Sequence, residues 1–235
     1  MQLLHSSIDK TCTEQEIYNG LFDFTGKRIL ELGCGSAVHT RSIAEADPAC
    51  RIDALEVDEI QHDKNLQITD LPNVNFLLGG AEDIPADDAT YDIVFMFKSL
   101  HHVPMQLLDR ALGEIRRVLK HDGCAYISEP LYAGEFNDLI RLFHDEKEVR
   151  EAAFTSLVKA VNDGQFRLQD ELFFNTEECF TDFEQFENQV IGATFANHKL
   201  DAELYSQVQH KFTRHLQDTG TSFTAPMRVD VLMKP

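Results

Sequence analysis

The feature that most constrains the fold is an apolar run, Arg28 to Leu32, that leads into Gly33-Cys34-Gly35 and then a helix-like segment. A strand followed by Gly-x-Gly lets the backbone approach a ligand with no Cβ in the way, and the next helix directs unpaired N–H groups at that ligand. A second strand-like run, Arg51 to Glu56, ends in a carboxylate 23 residues after Gly33. This is close to the spacing of about 20 residues expected for a ribose-binding acid, so the two runs predict a nucleotide-type site.

The residue three positions after Gly35 distinguishes between cofactors. A dinucleotide fold has Gly-x-Gly-x-x-Gly so that helix and strand close around a pyrophosphate, but Val38 occupies the third position. Val38 therefore disfavours pyrophosphate binding and, with it, a nicotinamide-dependent oxidoreductase. A ligand with a ribose and no phosphate, whose carboxylate lies near the helix N-terminus, fits better, and S-adenosylmethionine is such a ligand.

The first motif also carries a family resemblance. Leu30 to Gly35 closely resembles the first motif of class I S-adenosylmethionine-dependent methyltransferases, and the similarity covers roughly residues 25 to 130. It is closest to the small-molecule branch typified by ubiquinone-biosynthesis-type C-methyltransferases. The later family motifs are matched in order by Leu55 to Asp58 (second motif), Gly79 to Pro85 (adenine loop), Tyr91 to Phe95 (fourth strand), Ser99 to Val103 (the segment beyond it) and Arg117 to Gly123 (the turn into the fifth strand).

The resemblance implies an α/β fold, a Rossmann-like, doubly wound and mostly parallel seven-stranded sheet, with S-adenosyl-L-methionine as cofactor. Gly33 and Gly35 are expected to lie against the methionine part of the cofactor, and Glu56 is expected to accept both ribose hydroxyls. Asp58, two residues further on, is the rival for that role. The full set of cofactor-binding residues implied by the resemblance is Glu31, Gly33, Cys34, Gly35, Glu56, Val57, Ala81, Glu82 and Lys98.

The sequence departs from the family pattern at two positions. Ala37 stands where the family usually has a third glycine, and Gly80 replaces the family's Asp in the adenine loop. The second change removes a side-chain acceptor for the adenine amino group. Glu82 or Asp83 is the candidate replacement.

Methyl transfer is an in-line displacement at a sulfonium carbon, so the protein mainly aligns the reactants and excludes water. When the acceptor is a hydroxyl, an amine or an acidic carbon, a base is useful. His101 is the first candidate, with Tyr132 and Glu129 behind it. The alternative interpretation of the pair His101-His102 is structural. The spacing of His, Cys and Asp along the sequence gives no metal-ligand pattern, so no metal is predicted.

Alternation of strand and helix patterns from residue 28 onward favours right-handed βαβ units. An N-terminal helical cap is predicted over residues 1–24, followed by one methyltransferase domain over 25–235. Within that domain, residues 131–176 predict an inserted helical cover after the fifth strand, with a dimerisation element as the alternative. A strand is expected near residues 189–195, and a final antiparallel strand over 227–233. The strands and helices predicted in the first part are 28–32, 51–56, 74–78, 91–97 and 124–129, and 38–46, 59–68 and 105–119.

The composition limits the kinds of partner that this chain is expected to bind. The formal charge is −19 and no Lys/Arg cluster stands out, so nucleic-acid binding is not expected. Five scattered cysteines and the absence of a long apolar run predict a soluble cytoplasmic protein without a membrane segment, acting on a small-molecule substrate, with a homodimer as an option. Phenylalanines beyond residue 135 fit either a hydrophobic acceptor site or the core of the helical addition: Phe136, Phe143, Phe154, Phe166, Phe173, Phe174, Phe180, Phe183 and Phe186.

A second class of function is also compatible with these residues. A protein could keep the cofactor site and use the helical addition to recruit a protein partner, without catalysis. Turnover of a labelled methyl group distinguishes this binder from an enzyme.

Overall fold

The computed structural model describes residues 1–5, 7–192, 200–217 and 219–235. Its centre is a seven-stranded sheet in the order β3-β2-β1-β4-β5-β7-β6. Strands β1 to β5 are parallel, and β7 runs antiparallel between β5 and β6. The strands are β1 Arg28–Leu32, β2 Arg51–Glu56, β3 Val74–Leu78, β4 Tyr91–Phe97, β5 Leu119–Pro130, β6 Arg167–Phe180 and β7 Thr221–Met233. The predicted Rossmann-like, mostly parallel sheet is confirmed.

Helices flank the sheet on both sides. The helices are α1 Glu14–Leu21, α2 Val38–Ala46, α3 Glu59–Asn65, α4 Leu108–Val118, α5 Gly134–Ile140, α6 Lys147–Asn162, α7 Phe183–Phe186 and α8 Ala202–Thr213. Short 3-10 turns cover Leu100–His102 and Met105–Leu107, and a π-helical turn covers Glu187–Ile191. None of the helices in the described ranges combines the length and the apolar character needed to cross a bilayer.

Alternating side chains of the central strands separate two hydrophobic cores. In β4, Val94 and Met96 pack with α4 and α6, whereas Phe95 and Phe97 pack with α1 and α2 on the other face. Both faces of the parallel strands are therefore buried, as expected for a doubly wound sheet. This arrangement leaves the carboxyl ends of β1, β2 and β4 as the edge where the connecting segments meet.

Strands β6 and β7 continue beyond the sheet as a hairpin. β5 ends at Pro130, which pairs with Met227, but β6 and β7 remain paired as far as Phe180 with Thr221. A third hydrophobic core forms on this extension with α5, α7 and α8, and its buried members are Leu139, Phe180, Phe186, Val208, Phe212 and Phe223. Phe136, Phe143 and Phe183 pack against it, so these aromatic residues build the core of the addition rather than a cavity for an apolar acceptor.

The sixth strand lies earlier in the chain than predicted. The helical pattern ends at Asn162, and β6 runs over Arg167–Phe180, whereas residues 189–191 lie in the π-helical turn. The remaining part of the expected strand, 193–195, lies outside the described residues. β6 is an edge strand, and the charged side chains that protect such an edge also hide the apolar alternation of a strand.

The N-terminal segment is fixed to the sheet by one short helix. Thr13 caps α1 in a capping box with Glu16, and Ile17 and Tyr18 are buried against the sheet. The buried Glu14 carboxylate accepts hydrogen bonds from the Tyr126 and Ser128 hydroxyls of β5. These contacts place α1 beside the carboxyl half of β5.

Candidate cofactor site

The two glycines after β1 serve different purposes. Gly33 has a φ of +71°, and a Cβ at this position would lie 2.8 Å from the Cβ of Ser99. Gly35 has a φ of +51° and no atom within 4 Å of such a Cβ. Gly33 is therefore required for packing against the segment after β4, whereas Gly35 leaves open space on the loop for a ligand.

Glu56 ends β2 and closes the glycine loop. Its Oε2 accepts the Gly35 N–H at 2.7 Å, and its Oε1 accepts the N–H groups of Val57 and Asp58 at 2.8 and 2.9 Å. The residue is only 7% exposed. A carboxylate has about four acceptor positions, so one position on Oε2 remains for a further donor without breaking these bonds.

Asp58, the rival ribose ligand, has a local structural role. Its Oδ1 accepts the N–H groups of Ile60 and Gln61 at 2.9 and 3.4 Å, which caps the N-terminus of α3. The geometry therefore favours Glu56 over Asp58 as the acid beside the loop.

Glu31 lies beneath the same loop. It is fully buried, and its Oε2 accepts the Thr40 hydroxyl at 2.5 Å. Burial, together with repulsion from the Glu56 carboxylate, raises the pKa of Glu31 to about 8. Two carboxyl groups thus face each other at the ends of β1 and β2, a site that favours a cationic ligand.

Cys34 has a buried side chain. The Asn65 amide lies 3.5 Å from its Sγ and donates to the Gly35 carbonyl at 2.8 Å. Burial strongly raises the pKa of the Cys34 thiol. Cys34 therefore supplies backbone to the loop and no thiolate nucleophile.

The adenine loop has a substitute for the missing aspartate. A Cβ on Gly80 would lie 2.7 Å from Oε1 of Glu82, so the Glu82 carboxylate lies in the space that a side chain at Gly80 would enter. Asp83 is 86% exposed on its side chain and lies 3.8 Å from Arg110. Of the two candidates for the adenine acceptor, the geometry favours Glu82. Ala81, between Gly80 and Glu82, is buried.

Apolar side chains line the same edge. Val57 is 66% exposed, Ile60 59% and Leu78 49%, all at or just beyond the carboxyl ends of β2 and β3. Val57 was among the predicted cofactor residues. Ile60 and Leu78 were missed, although an exposed apolar residue directly after a buried strand is a usable signal for a flat aromatic ligand.

The histidine predicted as a base lies in a buried ion-pair network. His101 Nδ1 is 2.6 Å from Glu129 Oε2, and its Nε2 is 3.5 Å from Glu146 Oε1. Burial alone would lower the pKa of His101, but the Glu129 and Glu146 carboxylates outweigh it and raise this pKa to about 9. Nδ1 of His101 is thus bound to Glu129 while its Nε2 faces Glu146, an arrangement that does not fit the predicted base role and favours the structural alternative.

The two weaker candidates lie nearby. Glu129 is buried, and its Oε1 accepts the Leu100 N–H at 2.9 Å while its Oε2 binds His101. Glu129 therefore positions the segment after β4. Tyr132 lies half-buried directly after β5 at the same edge of the sheet.

Lys98 borders a separate cavity. The cavity has a volume of about 240 Å³ and lies between α1, α2 and the end of β4; its lining includes Glu14, Tyr18, Val38, His39, Ser42, Lys98 and Thr176. Lys98 has a φ of +52°, and its Nζ lies 2.7 Å from Glu178 Oε1 of β6. The structure therefore places the Lys98 ammonium against β6. A larger cavity of about 670 Å³ at the turn between β6 and β7 shares no lining residue with the predicted cofactor set.

His39 is a functional candidate that the sequence reasoning missed. Its ring stacks on Phe97 with centroids 4.2 Å apart and lines the 240 Å³ cavity. Burial, with a smaller effect of the Lys98 charge, lowers the pKa of His39 to about 4. The imidazole is therefore neutral at pH 7 and able to accept a proton. Its position in the first turn after the glycine loop was the available signal.

Comparison of the sequence with known proteins finds similarity to methyltransferases. Residues 29–123 match the family described as methyltransferase domain. An uncharacterized methyltransferase of Mycobacterium tuberculosis is 32% identical over 108 residues, which are 46% of this chain and 42% of the relative. A sarcosine/dimethylglycine N-methyltransferase of Halorhodospira halochloris is 28% identical over 111 residues, which are 46% of this chain and 39% of the relative. The chain thus spans less than half the length of these curated relatives.

Among solved structures, the YcgJ protein from Bacillus subtilis superposes with a TM-score of 0.67 at 19% identity, covering 94% of this chain and 97% of the other. This likeness concerns the fold, which has the sheet order and the helices on both faces described above. Residues 29–123 therefore resemble a methyltransferase domain in sequence, and the chain has the same fold as this solved structure.

Proposed function

We propose that this protein is an S-adenosylmethionine-dependent methyltransferase that acts on a small polar molecule. The observation that carries the proposal is the Glu56 carboxylate, which lies at the end of β2 and accepts the N–H of Gly35 at 2.7 Å beside open space on the glycine loop. A loop and an acid in this arrangement suit a ligand that presents a ribose hydroxyl and no phosphate.

The residues around the loop fit the other parts of the cofactor. The carboxyl groups of Glu31 and Glu56 favour a ligand with positive charge, and S-adenosylmethionine has a sulfonium and an ammonium group. Val57, Ile60 and Leu78 offer exposed apolar surface for an adenine ring. Glu82 offers a carboxylate oxygen to the amino group of the adenine. When bound, the cofactor supplies an electrophilic methyl group on a sulfonium.

The 240 Å³ cavity beside α1 and α2 is the proposed acceptor site. Its volume suits a small molecule, and its lining is rich in polar side chains. His39 provides the proposed base, since its neutral ring nitrogen can take a proton from a hydroxyl or an amine during methyl transfer. One relative is named for sarcosine and dimethylglycine, and amines of that size fit a cavity of this volume.

The domain organisation follows from the same proposal. Residues 1–24, with α1 at their end, close one side of the acceptor cavity, and residues 131–176 contribute α5, α6 and most of β6. The domain over 25–235 would carry the reaction. The alternative is that this addition forms a homodimer interface, and light scattering of the purified protein distinguishes a dimer from a monomer.

Calorimetric titration with S-adenosylmethionine and S-adenosylhomocysteine tests the cofactor assignment. Glu56→Gln is expected to weaken binding about 10- to 100-fold, because a charged hydrogen-bond acceptor is lost. Glu59→Gln, the same change on the exposed first turn of α3, is the matched control and should change binding less than about twofold. Equal binding by both variants would contradict the assignment.

A non-catalytic S-adenosylmethionine-binding protein is the second candidate. It is favoured by one observation: His101 and Glu129, the residues predicted for proton transfer, bind each other in the core. Incubation of a small-molecule extract with methyl-labelled cofactor separates the two functions. Labelled product supports the enzyme, whereas tight cofactor binding without product supports the binder.

A further inference from the structure

Three side chains that are distant in sequence converge beside the first turn after β4. His101 and His102 lie in the 3-10 turn Leu100–His102, and Glu146 lies directly before α6. One ligand atom from each residue lies within 4.8 Å of the others. Two imidazole nitrogens and a carboxylate oxygen are a donor set that divalent transition-metal ions accept in proteins.

His101 already binds a carboxylate through one ring nitrogen, as metal-binding histidines usually do. Glu129 Oε2 lies 2.6 Å from His101 Nδ1, and the Leu100 N–H holds the other oxygen of Glu129 at 2.9 Å. A carboxylate on one ring nitrogen fixes the orientation of the imidazole and directs the second nitrogen toward a metal. Nε2 of His101 accordingly points at Glu146.

The separation of His101 and Glu146 suits a metal ion better than a direct hydrogen bond. Nε2 and Oε1 are 3.5 Å apart, whereas good N–H···O hydrogen bonds span about 2.7–3.2 Å. Two ligands at about 2.0–2.2 Å from one tetrahedral zinc ion lie about 3.3–3.5 Å from each other. The observed gap is therefore close to the ligand–ligand distance of a zinc site.

The surroundings orient Glu146 and leave access from solvent. Arg150 donates to Oε2 of Glu146 at 2.5 Å, which leaves Oε1 directed at His101. His144 Nε2 lies 2.9 Å from the same Oε1, so a third imidazole borders the cluster. His102 is exposed, which gives an ion a route to the buried nitrogen.

We propose that His101, His102 and Glu146 bind a divalent transition-metal ion of the zinc type, with His144 at its border. The site joins the turn after β4 to the start of α6, and its effect is to fix α6 against the edge of the sheet. The cofactor residues take no part in it, so it stands or falls independently of the proposed methyltransferase activity.

Metal titration of the full chain, free of any polyhistidine tag and stripped with a chelator, tests the site. Calorimetry with Zn²⁺ is expected to show one equivalent bound, and Co²⁺ should give the visible absorption of a low-coordinate ion. His102→Gln and Glu146→Gln are each expected to weaken Zn²⁺ binding about 10- to 100-fold. His121→Gln removes an exposed histidine that lies outside the cluster and is the matched control.

Two results would overturn the proposal: no stoichiometric Zn²⁺ binding by the wild type, or unchanged binding in the folded His102→Gln variant. Because His102 is exposed, this variant is expected to fold even where Glu146→Gln does not. Cofactor titration of the same samples reports separately on the methyltransferase site, since loss of Zn²⁺ binding with intact cofactor binding refutes only the metal site.

Discussion

Glu31 gives the sharpest test of the cofactor site, because its ionisation couples to ligand charge. Burial and the neighbouring Glu56 raise its pKa to about 8 in the structure without cofactor. At pH 6.5 about 97% of the molecules therefore have a protonated Glu31. A sulfonium or ammonium group placed beside this carboxyl favours its ionised form, so binding of S-adenosylmethionine is expected to release close to one proton.

The sign of the pH dependence follows from the same linkage. Since the ligand lowers the pKa of Glu31, binding tightens as pH rises and levels off above the free-state pKa of about 8. Below this pKa the affinity for the cofactor is expected to rise about tenfold for each pH unit. At pH 6.5 the amino group of the ligand, with a pKa of about 7.7–8.0, stays protonated and adds little to the proton balance.

Calorimetry at pH 6.5 in buffers with different ionisation enthalpies measures the protons released. The slope of the binding enthalpy against the buffer enthalpy should correspond to about one proton for the wild type. Glu31→Gln should bring this slope close to zero, while Glu45→Gln, the same change at an exposed position of α2, should leave it unchanged. A wild type that binds the cofactor with zero slope would refute the coupling, as would a Glu31→Gln variant that keeps it.

Three further predictions concern stability and catalysis. Gly33→Ala places a Cβ 2.8 Å from that of Ser99 at a φ of +71°, so chemical denaturation should show a loss of about 2–4 kcal/mol, whereas Gly20→Ala, at an open position of helix α1, should cause no loss and a gain of up to about 1 kcal/mol. Burial raises the pKa of Asp230 to about 6, above its ordinary 3.8, so its stabilising contribution is present below about pH 4 and is lost as pH rises through 6. This loss is about 3 kcal/mol in the free energy of unfolding. Urea titrations between pH 4.5 and 7.5 should show that the stability of Asp230→Asn declines less steeply than that of the wild type, and equal declines would count against the raised pKa of Asp230. His39→Gln should lower kcat about 100-fold with cofactor affinity preserved, and retention of kcat would exclude His39 as the base.

The first part of the fold was predictable because its signals are local. The central parallel strands β1, β2 and β4 are largely buried and read as short apolar runs, and Gly33 and Glu56 lie at the ends of two of these runs. β6 was misplaced because it is an edge strand whose ladder partner, β7, lies about 50 residues later in the chain. Its position depends on a partner that no window of sequence contains.

The candidate site also has one part that the sequence predicts and another that depends on residues far apart in the chain. The loop residues Gly35 and Glu56 follow from a motif, and the structure brings them within one hydrogen bond of each other. The state of His101 depends on Glu129 and Glu146, which are 28 and 45 residues away in the sequence. Nothing near His101 in the sequence indicates that carboxylates face both of its ring nitrogens, so the sequence alone could not place it in this network.

The hairpin beyond β5 has a consequence for engineering. β6 and β7 each contribute to the sheet through one half and to the aromatic core through the other, as Phe174 and Phe180 of β6 show. Excising the addition would therefore strip the sheet of its last two strands and leave β5 as a bare edge. A chimera that exchanges the addition with that of a relative has to transplant everything from Leu131 to the end of β7 as a single piece.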